Sequence, residues 1–374
     1  MNVVRSLFVF NPVDLDSDIP GGVQLCSREF LACVEAASDS VSLYKVETRH
    51  LLGARILRCV GAAAYSSYVA SDYAAGLAKA IRSEDVSHVF INKSELVRFA
   101  AVIGGLRLPV RTILMSHGNQ SGDDLGDIVE AGQEGIGQFS DGLALGLNLI
   151  VESQHRRHWV DGVCVMSDEE RILEEWLGAR NTCVLPRLLT SSPVDWKPVS
   201  GRLGYSGTLT HPPNRRALQL TFDELGARGL KNVEVRLVGR PESQGKAFAS
   251  SYPFVRYLGP LSELELRAEA ATWSAYLNPL FGLARGASMK LGAGLALGLP
   301  VISTNFGARG YDCGDASLPI TGNSSHSFVD AVLQIVSTPQ AMEAAAESCR
   351  RAVASAPTVK DVGRRLRQFA LSLE

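Results

Sequence analysis

The sequence is poor in the features that mark several protein classes. Its seven cysteines, at positions 26, 33, 59, 164, 183, 313 and 349, lie far apart and form no CxxC pair, which argues against a disulfide scaffold and a structural zinc site. No apolar run reaches the ~20 residues of a membrane-spanning helix, and the start MNVVRSLFVFNP is too soon polar for a signal peptide. We therefore expect a soluble cytoplasmic protein with reduced cysteines.

Neither sign of charge dominates. Lys and Arg number 37 against 39 Asp and Glu, for a net charge of -2, so nothing indicates a nucleic-acid partner. The 374 residues suit two domains of ordinary size. We expect an N-terminal domain over 1–190, a C-terminal domain over 191–356 and a final helix over 357–374. The Pro- and Ser-containing stretch 186–200 would be the linker.

The first half predicts strand–helix units. An apolar strand over Val3–Phe10 is followed by a ten-residue polar loop and then Gly21-Gly22. A dinucleotide-binding oxidoreductase would place G-x-G-x-x-G tightly after this strand, and its absence weighs against that class. The Gly pair could serve a ligand or be a simple helix-entry turn.

A second loop of interest follows the predicted strand Arg111–Ser116. It carries His117 and Gly118 with amides and carboxylates behind them, a density of polar groups typical of sites at strand ends. His exchanges protons near neutral pH, so His117 is a candidate catalytic residue. The alternative is a loop His capped by Asp123 or Asp124.

The helix that follows, near Ser140–Trp159, ends in Gln154-His-Arg-Arg-His158. The spacing of this cluster favours a solvated face over a metal site. After it, Ser167 predicts an N-cap, and Glu170 would complete a capping box.

The second half restarts with a strand over Leu203–Ser206, then Gly207, and a helix opened by Pro212-Pro213-Asn214. Another strand, over Val233–Val238, ends in Gly239-Arg240. An Arg at a strand end suits a diphosphate because its planar fork pairs with phosphate oxygens.

The stretch Trp273–Tyr311 predicts a strand–loop–helix–strand crossover, with the helix from about Gly286 to Leu297. Such a loop lies at the carboxyl end of a parallel strand, where open α/β sheets bind ligands. The helix start would offer backbone amides to a phosphate, with a lysine one turn in. The residues expected there are Gly286, Ala287, Ser288, Met289 and Lys290. The alternative is a buried crossover helix with Lys290 solvated.

These segments resemble the GT-B glycosyltransferases, most closely the retaining group called family 4. The resemblance lies in Pro279-Leu280, Gly286–Lys290, Gly298–Thr304 and Gly307–Gly310, and in the His211–Leu218 stretch, which is similar to the H-P-P-N signature of one branch. It implies an α/β fold of two Rossmann-like domains facing a central cleft, with a C-terminal helix crossing back to the N-terminal domain.

The resemblance also implies roles for residues. His117 would lie beside the reacting sugar, and Lys290 and Arg240 would stabilise the leaving diphosphate. Further contacts to the nucleotide sugar are expected from Gly21, Gly22, Gly207, Asn214, Leu258, Gly286, Ala287, Ser288 and Met289, and Arg285 could neutralise a phosphate or the sugar's partner. The family's two glutamates, eight positions apart, are replaced by Arg285 and Ala293. The second of them binds ribose hydroxyls, and a methyl group cannot.

The function implied is transfer of a sugar from a nucleotide sugar, with UDP- or GDP-sugars expected, to a hydroxyl of a glycan, lipid-linked or small-molecule acceptor. It would serve bacterial surface polysaccharide or glycoconjugate synthesis, without metal or other cofactor, in the cytoplasm or peripherally at the inner membrane face. A non-catalytic GT-B subunit supporting a partner transferase and a GT-B-like sugar-nucleotide epimerase stay open as alternatives.

Overall fold

The computed structural model describes residues 3–16, 21–48, 65–133, 139–229, 232–282, 286–315 and 317–373. The chain divides into two compact units. The first comprises Met1–Arg187, Ala284–Gly286 and Pro357–Glu374, and the second comprises Leu188–Leu283 and Ala287–Ala356. The chain passes from the first to the second within the stretch expected to be a linker.

Each unit contains a six-stranded parallel sheet. The strands of the first are β1 Arg5–Phe10, β2 Ser40–Lys45, β3 His88–Asn92, β4 Arg111–Met115, β5 Gly162–Val165 and β6 Thr182–Val184. The strands of the second are β7 Arg202–Ser206, β8 Glu234–Val238, β9 Val255–Gly259, β10 Ala275–Asn278, β11 Val301–Thr304 and β12 Ile320–Thr321. The predicted α/β class is confirmed.

Helices connect the strands as crossovers. Those of the first unit are α1 Gly22–Ala37, α2 Ala74–Ser83, α3 Arg98–Gly105, α4 Gln120–Gln133, α5 Phe139–His158 and α6 Asp168–Leu177. Those of the second are α7 Pro212–Ala227, α8 Glu242–Ser251, α9 Glu263–Ala270, α10 Met289–Ala296, α11 Asn305–Ala308, α12 Ser325–Val336 and α13 Pro339–Ser355. The last helix, α14 Val359–Ser372, returns to the first unit.

The strand orders create one switch point in each sheet. In the first, the order β2-β1-β3-β4-β5-β6 reverses direction between β1 and β3. In the second, the order β12-β11-β10-β7-β8-β9 reverses between β7 and β10. Crossovers on the two sides of a switch point leave to opposite faces, so the loops after those strands part and leave a crevice for a ligand.

Both sheets lie inside their units because their strands are largely apolar. In β3, β10 and β11 every residue is buried, as expected for parallel strands covered on both faces. Leu203, Leu218 and Phe222 belong to the core on one side of the second sheet, while Trp273 and Leu295 belong to the core on the other.

Helix α14 packs against α1, as the predicted crossing back requires. Gly363 lies so close to α1 that a Cβ built there would be 2.5 Å from Ala36 Cβ. The Arg367 guanidinium donates to Ala37 O at 2.9 Å and pairs with Asp39. His88 Nε2 lies 3.2 Å from Ala370 O. These contacts attach α14 to the first sheet.

One predicted boundary is wrong. Helix α10 begins at Met289 and not near Gly286. The hydroxyl of Ser288, the N-cap, donates to Asn278 Oδ1 at 2.9 Å, so the chain before Met289 is bound to the end of β10 and does not enter the helix. The sequence reasoning also did not anticipate β12, α8, α9 or α11.

Candidate functional site

The switch point of the second sheet brings three predicted residues together. Gly207 follows β7, Asn214 lies in the first turn of α7, and Lys290 lies in the first turn of α10. Lys290 Nζ donates to Asn214 Oδ1 at 2.9 Å, and Asn214 Nδ2 donates to Thr208 O at 2.9 Å. Asn214 thus joins the lysine to the loop that follows Gly207.

Lys290 is poorly hydrated. Its side chain is half-buried, and its ammonium lies 5.9 Å from the centre of the Tyr205 ring. Burial disfavours the charged form and lowers the pKa of Lys290 to about 8. At neutral pH the lysine therefore keeps its charge in surroundings that strengthen its attraction for an anion.

Backbone hydrogen bonds connect the loops after β7, β8 and β9. Gly207 N donates to Val238 O at 3.1 Å, and Leu209 N donates to Arg240 O at 2.7 Å. Gly239 N donates to Gly259 O at 3.2 Å. A Cβ at Gly239 would lie 1.9 Å from Gly207 O, so this close approach requires glycine.

Two further predicted residues lie close to these connections, Arg240 after β8 and Leu258 within β9. The Arg240 side chain is exposed two residues after β8, and its predicted contact with a diphosphate stays a prediction. Leu258 is half-buried near the end of β9 and packs against the core that contains Val238. Its predicted contact with a nucleotide base stays a prediction.

Gly286 was predicted to offer a free backbone amide to a phosphate at the start of the helix, and the structure shows that this amide is already bound. The Gly286 amide donates to Glu170 Oε1 at 2.6 Å, both residues belonging to the first unit. This amide is therefore engaged by a carboxylate, and a phosphate there would have to displace Glu170. Ala287 and Ser288 precede the helix, and Met289 is its first residue. Arg285 lies outside the described residues.

Glu170 has a larger role than the capping box assigned to it. Its amide is bound by the Ser167 hydroxyl at 3.3 Å, as predicted for an N-cap. Its carboxylate does not return to Ser167 N but accepts from Met166 N at 3.2 Å and from Gly286 N. One buried carboxylate thus joins the start of α6 to a residue over a hundred positions away.

In the first unit, His117 lies at the end of β4 beside β3. His117 Nε2 is 3.0 Å from Asn92 Oδ1, and Asn92 Nδ2 donates to Ser27 Oγ at 3.0 Å. Because the amide nitrogen faces serine, the amide oxygen accepts from His117 Nε2–H. The ring also packs edge-on against Phe30, with centroids 5.2 Å apart. Asp124 accepts from Gln120 Nε2 and Asn148 Nδ2.

A buried charged network lies under the His117 loop. Arg156 and Glu174 form an ion pair with both side chains fully buried. Glu174 accepts from Ser116 Oγ at 2.9 Å, and the Arg156 guanidinium donates to Asn119 Oδ1. The interpretation of 154–158 as a solvated face is therefore wrong for Arg156, which points inward from α5.

The same loop is also bound at its far end. Glu152 accepts from both the amide and the hydroxyl of Ser121, and from the Tyr65 hydroxyl. Gly118 N donates back to Ser116 Oγ at 3.2 Å. Buried charges on α5 and α6 thus hold the chain on both sides of His117, a role that helix periodicity gave no signal for.

The switch point of the first sheet holds a pair that the sequence reasoning missed. Lys93 Nζ, just after β3, lies 3.3 Å from Asp14 Oδ1, in the loop after β1. Burial raises the pKa of the Asp14 carboxyl, and Lys93 opposes that rise. Gly21 is the N-cap of α1, and its amide donates to Gln24 Oε1 at 3.0 Å. The helix-entry role of the Gly21-Gly22 pair is observed, and its ligand contact stays a prediction.

A comparison with protein families finds a match within the second unit. Residues 200–338 match the family model of the group 1 glycosyl transferases. This range contains β7, α7 and α10, and with them the Lys290, Asn214 and Gly207 cluster. A comparison with curated proteins found no match.

Solved structures match the chain along its whole length. A sucrose-phosphate synthase from Thermosynechococcus elongatus is 14% identical with a TM-score of 0.67, and the match covers 99% of each chain. The fold is GT-B. Anabaena HepE, in complex with UDP and glucose, is 14% identical with a TM-score of 0.63, covering 99% of this chain and 100% of HepE. The predicted resemblance to GT-B glycosyltransferases is confirmed.

A third GT-B structure, an E. coli protein described as trehalose-6-phosphate and bound with UDP-2-fluoro glucose, is 12% identical with a TM-score of 0.65. Its match covers 99% of this chain and 98% of that one.

Two further observations concern the part of the chain that the structure describes. None of its helices combines the length and apolar character needed to span a bilayer. It also holds no group of three His, Cys, Asp or Glu placed around a common metal position.

Proposed function

We propose that this GT-B protein is a glycosyltransferase that moves a sugar from a nucleotide-sugar donor to an acceptor hydroxyl. The observation that carries the proposal is the joined set of Lys290, Asn214 and Gly207 at the switch point of the second sheet. The set lies within the residues that match the group 1 family. A cation beside a glycine loop at such a crevice suits a diphosphate.

Catalysis would be mainly electrostatic. Lys290 and Arg240 would stabilise the negative charge that builds on the leaving diphosphate, and Asn214 would hold Lys290 in place. The amides of Ala287, Ser288 and Met289 at the start of α10 would add to the same site. His117, held by Asn92, would act beside the reacting sugar.

The nature of the donor is part of the proposal. HepE is solved with UDP-glucose and the E. coli protein with UDP-2-fluoro glucose, which supports a UDP-sugar over a GDP-sugar. We propose a retaining reaction that needs no metal, because Lys290 and Arg240 supply positive charge at the phosphates. The acceptor would be a glycan, lipid-linked or small-molecule hydroxyl, and the setting bacterial surface polysaccharide or glycoconjugate synthesis in the cytoplasm or at the inner membrane face.

Ala293 favours one rival, a non-catalytic subunit that supports a partner transferase. It lies exposed on α10, three residues after Lys290 and so on the same side of the helix. The loss of ribose contacts at this position would weaken nucleotide binding by ~1–3 kcal/mol. The rival predicts weak binding of nucleotides without turnover.

The test is a screen of UDP-glucose, UDP-N-acetylglucosamine and GDP-mannose by thermal shift and by release of free nucleotide. We expect one donor to raise the melting midpoint of the wild type and to release its nucleotide. Lys290→Ala should weaken binding of that donor by about 10- to 150-fold, since a hydrogen bond to a charged group is worth roughly 1.5–3 kcal/mol.

Lys360→Ala is the matched control, because Lys360 is an exposed lysine on α14 and should leave donor binding unchanged. If a donor raises the melting midpoint of the wild type and of Lys290→Ala equally, Lys290 does not belong to a donor-binding site. Binding without nucleotide release across a panel of acceptors would favour the non-catalytic subunit.

A further inference from the structure

The Tyr205 hydroxyl is an anomaly in the second unit. Tyr205 lies on β7, two residues before Gly207, and is fully buried. Its hydroxyl has no hydrogen-bond partner among the residues that the structure describes. Buried hydroxyls are nearly always bonded, because leaving one unpaired costs free energy. Tyr276, a buried tyrosine on β10, shows the usual case, with its hydroxyl 2.6 Å from Ser206 Oγ.

The unpaired hydroxyl points toward the loop after β7. A Cβ built on Gly207 would lie 3.2 Å from Tyr205 Oη and 3.5 Å from Lys290 Cδ. Since glycine has no Cβ, the backbone leaves a gap of about one atom between the hydroxyl and the stem of Lys290. The gap opens at the switch point, beside the lysine whose ammonium lies over the Tyr205 ring.

The hydroxyl is suited to donate. Burial raises the pKa of Tyr205 well above its ordinary value, so the phenol stays protonated at any working pH. A neutral phenol beside an ammonium calls for an acceptor that carries negative charge, because Lys290 would repel a further donor. A phosphate oxygen satisfies both groups at once.

We propose that Tyr205 is a phosphate-binding residue of the donor site, with its hydroxyl donating to an oxygen of the nucleotide diphosphate that Lys290 also binds. A small movement of the Lys290 side chain toward the diphosphate would uncover the hydroxyl, and a residue larger than glycine at position 207 would fill the gap. The inference rests on the proposed function and deepens it. A phosphate oxygen would supply the partner that the Tyr205 hydroxyl lacks among the described residues.

Tyr205→Phe tests this inference by separating stability from binding. Without ligand, we expect Tyr205→Phe to melt at or above the wild-type midpoint, because the substitution removes a buried hydroxyl that has no partner. Its affinity for UDP, measured by calorimetric titration, should fall by about tenfold or more, as for other hydrogen bonds to charged groups. GDP and inorganic pyrophosphate serve as second and third probes, pyrophosphate lacking the base and ribose.

Tyr276→Phe is the matched control. It removes a hydroxyl that is already bonded, so its melting midpoint should fall while its affinity for UDP stays within twofold of wild type. Wild-type affinity in Tyr205→Phe for whichever of the three probes binds would overturn the inference and leave the proposed function standing. If the wild type binds none of the three, the proposed function fails and the inference fails with it.

Discussion

At the scale of single residues, Lys290 is the group that we expect to make the candidate site respond to pH. The lysine is half-buried, bonded to Asn214 and placed over the Tyr205 ring. Desolvation lowers its pKa from 10.5 to about 8. The unfolded state therefore binds more protons than the folded state between these values, so the contribution of Lys290 to the free energy of unfolding rises with pH across that window.

Binding of an anion should show the opposite trend. Lys290 is mostly protonated at pH 7 and mostly neutral at pH 9, so its fraction of charge falls by roughly tenfold between them. We expect the affinity for UDP to fall by a similar factor, since the phosphates stay ionised over this range. Calorimetric titration at pH 7, 8 and 9 measures the change.

Lys290→Arg separates this effect from other titrations, because arginine stays charged throughout. Its affinity should be nearly independent of pH in the same range, whatever its absolute value. A wild-type affinity that is flat from pH 7 to 9 would show that Lys290 does not bind the phosphates or that its pKa is not lowered.

At the scale of elements, α5 and α6 contribute charge to the core and not only to the surface. Arg156 and Glu174 are fully buried as a pair, and both bond to the loop that carries His117. Removing one member of a buried pair leaves the other uncompensated, which costs more than the pair itself contributes.

Arg156→Met should therefore lower the free energy of unfolding of the first unit by about 3–5 kcal/mol. Replacing both members, Arg156→Met with Glu174→Leu, should recover part of this loss because no unpaired charge remains. Hydrogen exchange at the amides of β4 and β5, the strands beside the pair, reports the change.

Arg171→Met is the control on the same helix as Glu174. Arg171 bonds Asp168 and Glu175 at the surface, and exposed pairs contribute little, so exchange should change far less than in Arg156→Met. If the single and double variants at the buried pair are equally destabilised, the network stabilises the loop through packing and not through charge.

At the scale of the whole molecule, the chain builds two similar sheets and then returns to the first. Helix α14, the last helix of the chain, packs on α1, the first helix. The second unit holds Lys290, Asn214, Gly207 and Tyr205, which come from β7, α7 and α10 of that unit alone. We therefore expect that the stability of the first unit and the nucleotide binding proposed for the second can be perturbed separately.

Gly363→Leu is the change that tests this separation. A side chain there would meet Ala36, and overpacking of this kind costs roughly 1–3 kcal/mol. We expect a calorimetric transition lowered by about 2–10 °C, while the affinity for UDP stays near the wild-type value. Gln368→Leu, at an exposed position of α14, should leave both unchanged. A loss of UDP binding in Gly363→Leu would show that the units are coupled.

The sequence alone determined the fold class and most of the elements. Apolar runs such as Val301–Thr304 mark buried strands, and residues such as Pro212 and Gly298 mark where helices begin and end, because these signals depend on neighbours in the chain. Local signals predicted strand ends at one edge of a parallel sheet, but it was the resemblance to GT-B glycosyltransferases that assigned Lys290, Asn214 and Gly207 to one site.

Only the tertiary structure decided which polar groups pair. Arg156 has the sequence surroundings of a surface residue, yet it is buried because Glu174 and Asn119 meet it there. Gly286 looks like a helix start, yet the distant Glu170 carboxylate binds its amide. The unpaired state of Tyr205 is likewise invisible in a hydrophobic strand. Such partners are set by packing between distant segments, which no local pattern encodes.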